Sequence, residues 1–131
     1  MKFNKLTPNL MVRNVEASMN FYKSVLGFQQ TITVPEQAPY VFGAVTNGGV
    51  ELFFNEQKAV AAEYPALGAK PIGGSLTLFI EVEGIEDVLA AVKKSGAKIP
   101  MPLKDQFYGM REFAFEDPDG WIVTIAERIS K

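Results

Sequence analysis

The stretch FEDPDGWIVTIAE, Phe115 to Glu127, holds the end of one strand, a tight turn and the whole of a second strand. Pro118 fixes φ, the flanking Asp117 and Asp119 can bond locally to backbone, and Gly120 accepts a positive φ, so these four residues read as turn chemistry, not catalysis. Beyond the turn, Trp121, Val123 and Ile125 alternate with Ile122, Thr124 and Ala126, the period of a half-buried strand. The apolar set with Trp121 takes the core. Thr124 then points to the opposite side, and what that side binds is the functional question.

Upstream, MREFAFE forms the other arm of the hairpin, and AKIPMPL is a short strand whose prolines suit an edge. Before it, GIEDVLAAVKKSG places Ile85, Val88, Leu89 and Val92 on one helical face, with acids at its start, lysines at its end and Gly96 as the stop. LTLFIEV opens this half as a strand. The first half follows the same order. LTPNLMVRN alternates with Leu10 and Val12 inward; NVEASMNFYKSVLGF is a helix capped by Asn14, carrying Ser18, Phe21, Tyr22 and Val25 at helical spacing and stopped by Gly27. Strands follow near Phe28 to Val34 and Tyr40 to Thr46, then an Asn47-Gly48-Gly49 turn and the strand VELFF.

Two copies of strand, helix, strand, strand, strand predict an α+β fold built by duplication. The expected organisation is one domain over residues 1–131, with module 1 at about 5–55, module 2 at about 75–128, and a connector at 56–74 carrying a short helix around Ala59 to Glu63.

Composition narrows the chemistry. A net charge of -2 and no run of Lys or Arg argue against nucleic acid. No apolar run approaches the roughly 20 residues that span a bilayer, and no signal-peptide pattern opens the chain, so no membrane contact and a cytoplasmic location are expected. The chain has neither cysteine nor histidine. Thiolate chemistry is thereby excluded, and with imidazole go the usual general base and the commonest transition-metal ligand.

The order of elements, with VRNVEASMNFYKSVLGF near the start and FEDPDGWIVTI near the end, resembles the vicinal oxygen chelate superfamily, also called the glyoxalase, bleomycin-resistance and dioxygenase superfamily. LTPNLMV and FYGMREFAF look most like its metal-free bleomycin-resistance branch. The resemblance implies two βαβββ modules forming cupped mixed sheets, helices on the outer face, with a cleft enclosed between them and a homodimer. In metal-using members the cleft holds a divalent ion on His or carboxylate side chains from the first and last strands of each module. Those positions fall here on Thr7, Glu51, Thr77 and Thr124. Neutral hydroxyls are poor ligands for such ions, so no metal and no cofactor are expected.

Strand alternation adds candidates without the family. Thr7, Asn9 and Met11, then Glu51 and Phe53, then Thr77 and Phe79, and Thr124 face away from the core; a mixture of hydroxyls, aromatics and a carboxylate suits a small organic ligand. Tyr108 and Arg111, beside a glycine-bearing loop, form a candidate lip. Glu51 is a ligand acceptor or base, or else a solvated strand carboxylate or one paired with Arg13 or Arg111. The leading expectation is a metal-free protein that sequesters a small organic molecule. The alternatives are a metal-independent isomerase or lyase with Glu51 as base, assisted by Tyr108 or Arg111, and a metal-dependent enzyme of the glyoxalase or dioxygenase kind.

Overall fold

The computed structural model describes residues 1–129; Ser130 and Lys131, at the end of the expected domain, lie outside the described residues. The chain is α+β and divides into two compact units, Met1–Lys70 and Pro71–Lys131.

The first unit comprises β1 (Asn9–Val12), α1 (Val15–Leu26), β2 (Gln29–Val34), β3 (Phe42–Asn47), β4 (Val50–Glu56), α2 (Gln57–Glu63) and α3 (Pro65–Gly68). Its sheet runs β1-β4-β3-β2, with β1 parallel to β4 and the other pairs antiparallel. Asn14 starts α1 by accepting the Ala17 N–H at 2.8 Å, and Gly27 ends it in the left-handed region at φ 71°. α1 buries Val15, Ser18, Met19 and Tyr22. Tyr22 packs against Phe54 with ring centroids 5.3 Å apart and planes tilted by 38°, and meets Phe28 edge-on, making the aromatic centre of this unit. Gly43 permits the approach: a Cβ there would sit 2.5 Å from the Met19 sulfur.

The second unit repeats the pattern with β5 (Thr77–Glu81), α4 (Ile85–Ser95), β6 (Met101–Asp105), β7 (Met110–Glu116) and β8 (Ile122–Arg128), in the order β5-β8-β7-β6. Again the first and last strands pair in parallel. The edge strand β6 starts later than the AKIPMPL reading placed it. Pro100 and Pro102 offer no N–H to a ladder, and pairing with β7 is irregular between Met101 and Lys104. Phe113, Phe115, Val123 and Ile125 are buried on the face that carries α4.

α4 has no side-chain cap of its own, since Gly84 occupies that position. Glu127 supplies one from β8, accepting the Gly84 N–H at 2.8 Å and the Ile85 N–H at 3.1 Å. Those two backbone bonds, the Gly84 one foremost, hold its carboxyl below its ordinary pKa despite some desolvation, with help from Arg111. A carboxyl depressed by folding stabilises the native state above its unfolded pKa and ceases to do so as the pH falls through the folded value. Glu127→Gln is therefore expected to lower the melting temperature at pH 7 and to flatten its decline below about pH 4.5, as read by thermal melts from pH 7 to 3. Parallel curves for the two proteins would refute this account of the cap.

Candidate functional site

Each sheet has one face covered by its helix and one free of it. In the first unit, register and alternation put Asn9 and Met11 of β1 on the same free face as Glu51, Phe53 and Asn55 of β4 and Thr46, Ala44 and Phe42 of β3. Glu51 is partly buried and engaged twice. Lys5 forms an ion pair with it, and the Thr7 hydroxyl donates to the same oxygen at 3.4 Å. The expected partners Arg13 and Arg111 are thus replaced by Lys5, from the segment preceding β1. Asn9 accepts a hydrogen bond from the Asn55 amide. Phe53 is half-buried with Phe42 edge-on at 5.1 Å, and Ile32 and Val34 extend this apolar surface to the far strand, where both are exposed.

Met11 departs from the expectation of an accessible side chain. It is buried, at the edge where α2 packs against β1 and β4. The connector contributes that helix, and alternation within β1 carried no information about it.

In the second unit the free face carries Thr77, Phe79 and Glu81 of β5, Ile122, Thr124 and Ala126 of β8, and Glu116, Ala114 and Glu112 of β7. Thr77 and Thr124 hydroxyls lie 2.6 Å apart in a mutual hydrogen bond, and Thr77 also donates to the Ile122 carbonyl at 3.2 Å. Thr124 is buried, whereas Phe79 is 55% exposed. Side chains thus tie the start of each unit to its last strand, Thr7 just before β1 with Glu51 of β4, and Thr77 of β5 with Thr124 of β8.

Tyr108 and Arg111 do not form one lip. Arg111 belongs with Phe113 and Phe115 on the helix-bearing face, where its Nε donates to Asp105 at 2.6 Å and its guanidinium lies 3.7 Å from Glu86 of α4. Its bond holds the Asp105 carboxyl below its ordinary pKa. Tyr108 instead donates its hydroxyl to Glu112 at 2.8 Å. That bond, then partial desolvation and the carboxylate's charge, raise the phenol's pKa, so it stays a donor. Glu112 is only 3% exposed and was missed from sequence. The signal was present: once Phe113 and Phe115 are given to the core, Glu112 must share the face of Thr124.

A separate open depression of about 400 Å³ lies at the start of α1, lined by Arg13, Asn14, Tyr40 and Glu56 among others. None of the ten candidates lines it.

The model of the Glyoxalase/Bleomycin resistance protein/Dioxygenase superfamily matches residues 2–125. The chain belongs to that superfamily. Bleomycin resistance proteins of Geobacillus stearothermophilus and Staphylococcus aureus are each 30% identical to it over 130 residues, covering 93% of this chain and 95% of theirs. Among solved structures, TioX from Micromonospora sp. ML1 shares the fold with a TM-score of 0.76 at 15% identity, over 96% of this chain and 99% of that one. A superfamily member from Burkholderia phytofirmans PsJN, described as an enzyme, gives 0.77 at 21% over 93% and 96%.

Membership makes the donor set a test of fit for the superfamily's divalent ion. Thr77 and Thr124 spend their hydroxyls on each other, and Glu51 is already neutralised by Lys5. Among the described residues, no three His, Asp, Glu or Cys side chains converge as an ion would need. The residues at these positions do not fit a transition-metal centre.

Proposed function

We propose that this chain binds and sequesters a small organic molecule without a metal, on the sheet faces opposite α1 and α4. The observation that carries the reading is the hydroxyl pair Thr77–Thr124, which puts two neutral, mutually satisfied groups where metal-using relatives place ionisable ligands. Around such positions the faces offer partly exposed aromatics, Phe53 and Phe42 in one unit and Phe79 and Tyr108 in the other, with a few polar groups to fix orientation. The two bleomycin resistance proteins that match along nearly the whole chain support the same reading and make bleomycin the first compound to try. A base role for Glu51 fits less well, because Lys5 and Thr7 hold its carboxylate in place.

Thermal melts against bleomycin, a panel of planar aromatic compounds and divalent metals test this. A ligand that binds only the folded protein raises the midpoint, by on the order of 10 °C at a hundred-fold excess over Kd for a chain of this size. The expected result is a rise with an organic compound and none with metals. A stoichiometric metal-induced rise reversed by EDTA would overturn it.

A further inference from the structure

We propose that Glu112 is the recognition point for a cationic nitrogen on a flat organic ligand, and that Tyr108 is the exchangeable group occupying it beforehand; this rests on the sequestering reading and names the ligand's class. The carboxylate sits in an unusual position for a side chain of its kind. It is 3% exposed, in the middle of a sheet face. Its neighbours are the small Ala126 across β8 and, along β7, Ala114 on one side and the buried Met110 on the other. A buried carboxylate is costly unless it is matched by positive charge or several donors. Lys104 is its register partner on β6, yet that residue is exposed, and the hydrogen bond Glu112 receives comes from the neutral phenol of Tyr108.

The phenol gives the carboxylate one hydrogen bond but no compensating charge, whereas a ligand ammonium or amidinium would supply both, so it would displace the phenol with a net gain. Tyr108 is free to yield. It is 49% exposed in the short turn between β6 and β7, beside a glycine at φ 86° and a wholly exposed Phe107. Flatness follows from the adjoining row. Phe79, Thr124, Ala114 and Met101 lie side by side across the four strands, an aromatic and a thioether flanking two short side chains. Glu81, on the same row as Glu112 beyond Ala126, adds a second negative charge for the same nitrogen-bearing edge.

Two ring-matched probes separate charge from shape: 9-aminoacridine, flat and cationic at neutral pH, and acridine, flat and uncharged there. Calorimetric titration at pH 7.5 is expected to show the cation bound about ten-fold more tightly by the unaltered protein. Glu112→Gln should bring the two within about two-fold, while Tyr108→Phe should tighten cation binding several-fold by removing the competitor. Amide shifts at Ala114 and Ala126 on adding 9-aminoacridine would place the ring on this face, and the amide spectra would show both variants folded. Equal affinity for the two rings, or a preference that survives Glu112→Gln, overturns this proposal and leaves the sequestering reading intact. Weaker binding by Tyr108→Phe overturns the exchange. Binding of neither ring overturns the cation site, and the broader thermal panel then decides the sequestering reading separately.

Discussion

Replacing Phe54 with alanine is expected to remove about 3–5 kcal/mol of folding stability, the range for truncating a fully buried aromatic. The residue is 0% exposed in the centre of β4, and its ring meets Tyr22 of α1, which in turn meets Phe21 and Phe28 edge-on. Truncation would therefore open a cavity where helix and sheet join, and surrounding rings pinned by one another cannot collapse into it. Since whole domains are stable by only about 5–15 kcal/mol, the first unit would be close to unfolding. Phe53→Ala, one residue away on the half-buried face, should cost far less and supplies the control. Urea titration of both variants measures the difference. A loss below about 1 kcal/mol for Phe54→Ala would mean that the aromatic cluster does not organise this unit.

Asp117→Ala is the second large effect, expected at roughly 3 kcal/mol. The carboxylate is 5% exposed and accepts two backbone N–H groups, Asp119 at 2.9 Å and Trp121 at 3.0 Å. Alanine would leave both donors without that acceptor in a place where water has little access, at about 1–3 kcal/mol apiece before relaxation. The turn cannot readily adjust. Gly120 is held at φ 87°, its N–H bonded to the Asp117 carbonyl, and the connector runs close enough that a Cβ on Gly73 would lie 3.0 Å from the Gly120 oxygen. Asp117→Asn keeps an acceptor oxygen and should lose a minor part of the stability. If Asn and Ala variants melt alike, the turn is held by something other than these two bonds.

The contrast between these residues and the binding face shows what a sequence can reveal. Asn14, Gly27 and the Asp117 to Gly120 turn act through partners only a few residues away, so their types and spacing announced helix start, helix stop and hairpin. Alternation likewise separated Leu52 and Phe54 from Glu51 and Phe53, because one face of each strand must be buried. Side-chain partnerships across the sheet follow no such local rule. Lys5 reaches Glu51 and Glu127 caps α4 from more than forty positions away. Arg111 reads as part of a lip because it stands near a glycine loop, whereas the phenylalanines beside it in β7 place it on the other face. Met11 lies on the predicted face yet is buried, beside a connector helix whose packing against β1 no period predicts.

In each unit the leading strand is joined in parallel to the last. A chain emerging from the ribosome can make α1 and the β2-β3-β4 meander by short-range steps, but β1 must wait for β4 before it has a ladder at all. Such long-range closure is the slow kind. Because neither sheet borrows a strand from the other unit, the wait ends at Glu56 for the first half, before the second half has been synthesised. The duplication thus divides one long search into two shorter ones taken in turn.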